Sequence, residues 1–167
     1  MNGWMYTGDI GTIVHGSNAL KIIDRKKNIF KLSQGVYVAP DRLQTIYRTA
    51  YGVSDLYIHG DSLKSCLVGI VVVDEDSFPK IADENSFKGK GLKEWVEDPR
   101  ANEFLLGELN KVAKENELKG FEKLKRIYVS GKNFADLGLL TTTAKVKRSE
   151  TGVFFKDVVA KLYEGLG

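Results

Sequence analysis

Apolar and polar positions alternate in short blocks along this chain, and the blocks change period as they go. In "GTIVHGSNALKIIDR", residues 11–25, β-branched and aliphatic residues flank Gly16, Ser17 and Asn18, a cluster that tolerates left-handed backbone; two short strands joined as a hairpin are predicted. "NIFKLSQGVYVAP" reads as a further extended segment, broken by Gly35 and ended by Pro40, whose fixed φ suits the first turn of a helix. In the helix that follows, Leu43, Ile46, Tyr47 and Ala50 line one face and charges occupy the other. "VSDLYIHGD" and "KSCLVGIVVVDED" are two strands separated by a polar tip at residues 60–62. The second is apolar almost without interruption, as the middle of a sheet requires.

Residues 76–98 mix Gly, Pro, Lys and acids with no sustained period, which predicts short helical turns and loops. Residues 99–118 then form a helix, with Phe104, Leu105, Leu109, Val112 and Ala113 on one stripe and Gly120 as its stop. "EKLKRIYVSG" returns to a strand, "NFADLGLLTTTAKVKRSE" is loop, and "GVFFKDVVAKLYEGL" closes as one amphipathic helix through Phe154, Phe155, Val158, Val159 and Leu162. The predicted fold class is α+β: a small mixed β-sheet flanked by helices and preceded by a β-hairpin. Three strands and three helices are expected after Pro40.

Composition narrows the function classes. The 167 residues are 43% hydrophobic and 28% charged, the balance of a folded globular domain. A net charge of +3 is too mild to name nucleic acid as a partner by itself. Cys66 sits in a β-branched run as a small buried hydrophobe, and His15 and His59 stand apart from other ligand types, so neither a disulfide framework nor a metal site is expected. No signal peptide, long apolar span or lipidation motif is present, which points to a cytoplasmic setting. The Gly-rich opening, with Gly3, Gly8, Gly11 and Gly16 among single aromatics, lacks a capped or alternating start and reads as an internal stretch of a larger polypeptide. Phosphate loops, nucleophile elbows, His pairs and Cys-His arrangements are all missing.

Three short stretches carry what chemistry there is. "GWMYTGDIG" holds Asp9 on a tight turn, where a carboxylate can accept hydrogen bonds from both hydroxyls of a ribose; alone, Thr-Gly-Asp is a common turn. "LKIIDRKKNIFKLSQGVYVAP" carries Arg25, Lys26, Lys27 and Lys31 into a Gly-bearing loop, which read alone is an edge strand protected by charge. "TAKVKRSE" gathers Lys145, Lys147 and Arg148, and read alone is a solvated turn.

In this order and spacing the three resemble the closing part of the adenylate-forming superfamily, which includes acyl-CoA synthetases, luciferases and peptide synthetase adenylation domains. "DRKKNIFKLSQG...VAP" and "LLTTTAKVKR" resemble long-chain fatty acyl-CoA synthetases in particular, and the resemblance covers essentially the whole chain. It implies a long-chain fatty acid–CoA ligase that uses ATP, CoA and Mg2+, with the Mg2+ held mainly by a large N-terminal domain that this chain lacks. Residues 1–26 would end that large domain and residues 27–167 would form the mobile C-terminal domain. Asp9 and Arg25 match the groups that bind the ATP ribose, with Tyr6 near the nucleotide. Lys27 falls at the hinge, and Lys31, Ser33, Gln34 and Gly35 match the loop that helps to form the pantetheine tunnel for CoA. Lys145 matches the catalytic lysine of the family's last motif, while Lys147 and Arg148 fix the loop or stay in solvent. The family usually carries a proline inside that motif and a glycine before its lysine; Thr142 and Ala144 stand there instead.

The implied partners are a long-chain fatty acid, ATP, CoA and the enzyme's own N-terminal domain. No nucleic acid is expected, and the location is the cytoplasm or the cytosolic face of an intracellular membrane, with no anchor encoded in this segment. The isolated fragment is expected to be inactive. The competing reading is a non-catalytic α+β binding module that uses the basic stripe from Arg25 through Lys31 for nucleic acid or a protein partner. Against it, the strands lack the paired aromatics that stack bases, although Phe30 and Tyr37 lie nearby.

Overall fold

A computed structural model describes residues 3–84 and 91–166. The chain opens with an antiparallel hairpin of β1 (Asp9–Ile13) and β2 (Leu20–Arg25). Its loop closes through Val14 N–H to Ala19 O at 2.9 Å, and Asn18 takes the left-handed φ of 53° that the turn needs. The extended segment that Gly35 was expected to break is β3 (Phe30–Lys31), folded back against β4 (Tyr37–Val38). Gly35, at φ 86°, makes that reversal possible, and Leu32 N–H closes it on Val36 O at 2.9 Å.

Pro40 takes the first helical position of α1 (Pro40–Tyr47), which buries Pro40, Leu43, Gln44 and Tyr47. A three-stranded sheet follows, of β5 (Val53–Gly60), β6 (Leu67–Val73) and β7 (Leu124–Ser130), in the order β5-β6-β7. β5 runs antiparallel to β6 and β7 parallel to it, so the sheet is mixed as expected.

Every residue of β6 is buried because both faces of the sheet are covered. Leu67, Val71 and Val73 join the core formed with α1, α3 (Leu92–Val96) and α4 (Pro99–Glu115). Val68, Ile70 and Val72 join a second core with Phe134, Leu139 and the C-terminal helices. The parallel β6-β7 pair requires a long crossover, and α2 (Phe78–Glu84), α3 and α4 provide it. The helical turns expected in residues 76–98 are α2 and α3, and the part of that stretch at 85–90 lies outside the described residues.

Two helix ends differ from the sequence pattern. α4 stops before Gly120: Glu117 turns left-handed at φ 51°, Leu118 N–H reaches back to Ala113 O at 2.9 Å, and Glu117 N–H to Lys114 O at 3.1 Å. This is a Schellman ending with a glutamate where glycine is usual, while Gly120 begins the 3-10 turn Gly120–Glu122. The closing helix starts four residues earlier than expected and is two helices, α5 (Arg148–Phe154) and α6 (Lys156–Tyr163). Consecutive phenylalanines on one helix point about 100° apart. Phe155 sits at the break, packed against Phe134 and Tyr128, and Phe154 is left exposed. The described residues therefore hold six α-helices after residue 39, where three were expected.

Gly60 lets the β3-β4 hairpin dock on the sheet. A Cβ at Gly60 would fall 2.0 Å from Cε2 of Phe30, well inside van der Waals contact. Gly60→Ala is expected to push the Phe30 ring off the end of β5 and to cost about 1–3 kcal/mol in a urea titration. An unchanged midpoint would mean that the ring has room to move.

Candidate functional site

A groove of about 800 Å³ opens between three pieces of chain: the segment after β2, the outward face of α1, and the loop that enters α5. Arg25, Lys27 and Asn28 line the first wall; Asp41, Gln44, Thr45 and Arg48 the second; Thr141, Thr143, Lys145 and Arg148 the third. Three residues singled out in sequence, Arg25, Lys27 and Lys145, thus line one groove although up to 120 positions separate them.

The first wall is held by a carboxylate that the sequence reading passed over. Asp24 is buried at the end of β2. Its Oδ2 accepts the backbone N–H of Asp41 at 2.9 Å, and Oδ1 accepts Arg25 N–H at 2.7 Å and Asn28 Nδ2 at 3.3 Å. Asn28 Nδ2 also lies 3.1 Å from Asp41 Oδ2. A carboxylate at the start of α1 satisfies a helix N–H that has no partner within the helix and complements the dipole. The only signal in sequence was an acid directly before a basic run.

The third wall is a small closed loop. Thr141 N–H donates to Lys145 O and Lys147 N–H to Leu139 O, both at 2.8 Å, around a bridge between Leu140 and Val146. Lys145 N–H donates to Thr141 Oγ1 at 3.1 Å. Ala144 takes φ 55°, so the position where the family usually has glycine keeps the left-handed backbone with an alanine, at a cost on the order of 1 kcal/mol. The Lys145 side chain is exposed, and its ammonium has no hydrogen bond or ion pair among the described residues. Its neighbours are committed: Lys147 Nζ donates to Gly138 O at 3.1 Å and lies 3.2 Å from Glu150 Oε2. The Arg148 guanidinium reaches Gln44 and Ile58 O. The basic cluster therefore divides into one free cation and two structural ones.

Charge around the groove is mixed. Burial lowers the Arg148 guanidinium from its ordinary value, while Tyr57, Asp41 and Asp24 act against that shift. Arg48 pairs with Asp55 at 2.8 Å, yet burial outweighs the pairing and pushes the Asp55 carboxyl above its usual range.

The other predicted residues lie elsewhere. Asp9 stands opposite Arg25 in the hairpin ladder, exposed, with its N–H on Thr7 Oγ1 at 3.1 Å. Tyr6 is fully exposed and takes no part in lining the groove. Lys31, Ser33, Gln34 and Gly35 form the exposed turn of the β3-β4 hairpin, which leans on the loop between β5 and β6. Ser33 N–H donates to Lys64 O at 3.0 Å and Gln34 Nε2 to Ser65 O at 2.9 Å, and Lys31 Nζ lies 5.7 Å from the centre of the Tyr37 ring. Seven of the candidate residues thus form two surfaces, Arg25, Lys27 and Lys145 at the groove and Lys31, Ser33, Gln34 and Gly35 at this turn, while Asp9 and Tyr6 belong to neither. No group of three His, Cys, Asp or Glu side chains among the described residues could hold a metal ion.

No family model matches the chain. Individual proteins do: it is 43% identical over 166 residues to the mouse long-chain-fatty-acid–CoA ligase 5, covering 99% of this chain and 24% of that protein. Over almost its whole length the chain is a homologue of part of the long-chain-fatty-acid–CoA ligases, and its solved neighbours are adenylation domains. A peroxisomal long chain acyl-CoA synthetase 7 from Arabidopsis thaliana is 41% identical over 163 residues, covering 97% of this chain and 23% of that protein. This synthetase homologue therefore spans about a quarter of the length of the curated relatives it matches. Among solved structures, the adenylation domain of a carboxylate reductase from Mycobacterium chelonae superposes with a TM-score of 0.78 at 28% identity, over 95% of this chain and 23% of that one. The A domain of a carboxylic acid reductase from Segniliparus rugosus, in complex with AMP and a co-purified carboxylic acid, also gives 0.78, at 26% identity over 96% of this chain and 23% of that one.

Proposed function

We propose that this chain is the C-terminal part of an ATP-dependent long-chain fatty acid–CoA ligase, one that adenylates a fatty carboxylate and then passes the acyl group to CoA. The observation that carries the reading is the meeting of Lys145, Arg25 and Lys27 in one groove, with the Lys145 ammonium free. In the first half-reaction a carboxylate oxygen attacks the α-phosphorus of ATP, the bond to the β-phosphate oxygen breaks, and pyrophosphate leaves. Two anions must approach, and charge builds on the phosphoryl oxygens. An ammonium aimed at that charge stabilises the transition state more than the ground state. We assign Lys145 this role, with Asp9 and Arg25 on the ribose and Tyr6 near the nucleotide.

In the second half-reaction the CoA thiolate attacks the acyl carbonyl and AMP leaves. Lys31, Ser33, Gln34 and Gly35 are assigned to the pantetheine path, and Lys27 is the hinge about which residues 27–167 swing so that this turn replaces Lys145. Two features support a boundary near residue 26. Trp4, Met5, Tyr6, Leu20 and Ile22 leave the hairpin with an exposed apolar surface, such as a larger domain would cover. The turn and the Lys145 wall of the groove are also separate surfaces of residues 27–167, as alternation requires. Asp24 sits before the hinge and Asp41 after it, so the hydrogen bond between them belongs to one of the two orientations and breaks in the other.

Mg2+ would supply charge neutralisation on the phosphates, and its ligands are assigned mainly to the large N-terminal domain. No helix among the described residues is long and apolar enough to cross a membrane. We place the full-length enzyme in the cytoplasm or on the cytosolic face of an intracellular membrane, with a long-chain fatty acid, ATP and CoA as its ligands. The test is product formation. Full-length protein is expected to convert palmitate, ATP and CoA to palmitoyl-CoA and AMP, and the 167-residue chain to give none. A full-length protein that leaves acyl substrates untouched overturns the reading, and turnover by the chain alone overturns the division of labour.

A further inference from the structure

β5 is an edge strand, so its outward carbonyls have no ladder partner, and two of them are met by side chains. Gln44 Nε2 donates to Leu56 O at 2.6 Å, and the Arg148 guanidinium donates to Ile58 O at 2.5 Å. Leu56 and Ile58 are two residues apart, so their carbonyls point the same way. The two side chains then join each other, Arg148 Nη1 to Gln44 Oε1 at 2.8 Å. The guanidinium also lies 5.1 Å from the centre of the Tyr57 ring. One turn further along α5, a Cβ at Gly152 would fall 2.9 Å from Tyr57 Oη, so this end of the helix is pressed directly onto β5.

Arg148 thus pins α5 to α1 and to the sheet edge, three residues after Lys145. The loop between is closed by its own hydrogen bonds and is attached to the body through Leu139, Leu140 and Val146, which pack on the second core, and through Arg148. Hydrogen bonds this local last only while the loop is held in place, so its closure and its direction both depend on these attachments. The helix that receives Arg148 is also the one whose first turn receives Asp24, so both walls of the groove are referred to α1.

We propose that Arg148 is the positioning residue for Lys145: through Gln44, Ile58 O and the Tyr57 ring it fixes the direction in which the loop presents the lysine. This rests on the assignment of Lys145 to the phosphoryl charge, and it is separable from that assignment by experiment. Arginine suits the task because its planar fork donates in two directions at once while its face stacks on a ring. A lysine there keeps the charge but has one nitrogen in place of the two-nitrogen fork and loses the stacking plane.

The test is Arg148→Lys, read by amide hydrogen exchange on this chain. The amides of Thr141 and Lys147 are expected to exchange about tenfold faster or more, with Ile70 and Val71 in the central strand unchanged. Equal acceleration of the loop and the central strand would make Arg148 a general stabiliser, and an unchanged loop would remove it as an anchor; either result overturns the proposal. In the full-length protein the same variant is expected to lower kcat for acyl-adenylate formation about tenfold or more while leaving thioester formation from preformed acyl-adenylate intact. Adenylation at the parental rate overturns the proposal as well. If instead Lys145→Ala leaves adenylation untouched, the role given to Lys145 fails, and the exchange result reports on the anchor alone.

Discussion

Lys145→Ala in the full-length protein is expected to lower the rate of acyl-adenylate formation by about 10²–10³-fold, the scale of losing one well-aimed electrostatic contact to a transition state. That factor corresponds to roughly 3–4 kcal/mol and requires that the ammonium act in a site from which most water has been excluded. The structure supplies the free end of this argument. Lys145 has a closed loop behind it and no competing ion pair among the described residues, so its charge is not already spent on a carboxylate. Lys147 is paired with Glu150 and Arg148 is held by Gln44 and Ile58 O, and substitution there acts through the loop.

The two half-reactions separate the assigned role from a general one. If Lys145 serves only the first, thioester formation from synthetic palmitoyl-adenylate and CoA stays within about twofold of the parental rate. Equal loss in both steps would mean that the residue supports the fold or the swing, and the assignment would fall. Lys145→Arg adds a second reading: a planar, bulkier cation in the same loop keeps charge but not position, so a large residual defect is expected. Measuring pyrophosphate release and thioester formation in parallel gives both answers from one set of variants.

How far the fold was readable depended on how local each signal was. β6 announced itself because burial on both faces leaves no polar position in "LVGIVVV", and Pro40 fixed the start of α1 by its own geometry. The end of α4 was misread because Glu117 takes a left-handed turn that composition assigns to glycine. The split at Phe155 was hidden because a 3.6-residue period accepts Phe154 or Phe155 as a core position and only the packing of Phe134 and Tyr128 chooses between them. The site divides the same way. Lys145, Arg25 and Lys27 were legible through motif resemblance, and the groove brings them together. Asp24 and Gln44 were not, because their roles are set by an N–H seventeen residues away and a carbonyl twelve residues away, and no local spacing encodes either.

Leu43→Ala is expected to produce the largest loss of stability among changes close to the groove. Leu43 is fully buried, on the side of α1 turned away from the groove walls Asp41, Thr45 and Arg48 and into the core shared with β5 and α4. Removing its branched end takes apolar surface out of contact and leaves a cavity that a helix pinned by Pro40, Asp24 and Gln44 cannot close by sliding. Such truncations cost about 2–5 kcal/mol, a large share of the roughly 5–15 kcal/mol that holds a domain together. With a urea m-value on the order of 2 kcal/mol per molar, the unfolding midpoint should fall by about 1 M or more. Thr45→Ala, on the exposed face of the same helix, should stay within about 0.5 kcal/mol and serves as the control. If Leu43→Ala also leaves the midpoint unchanged, α1 is not the rigid support on which both walls of the groove are built. The direct consequence would be a groove whose lysine and hinge move independently, and the single-body swing proposed for residues 27–167 would lose its mechanical basis.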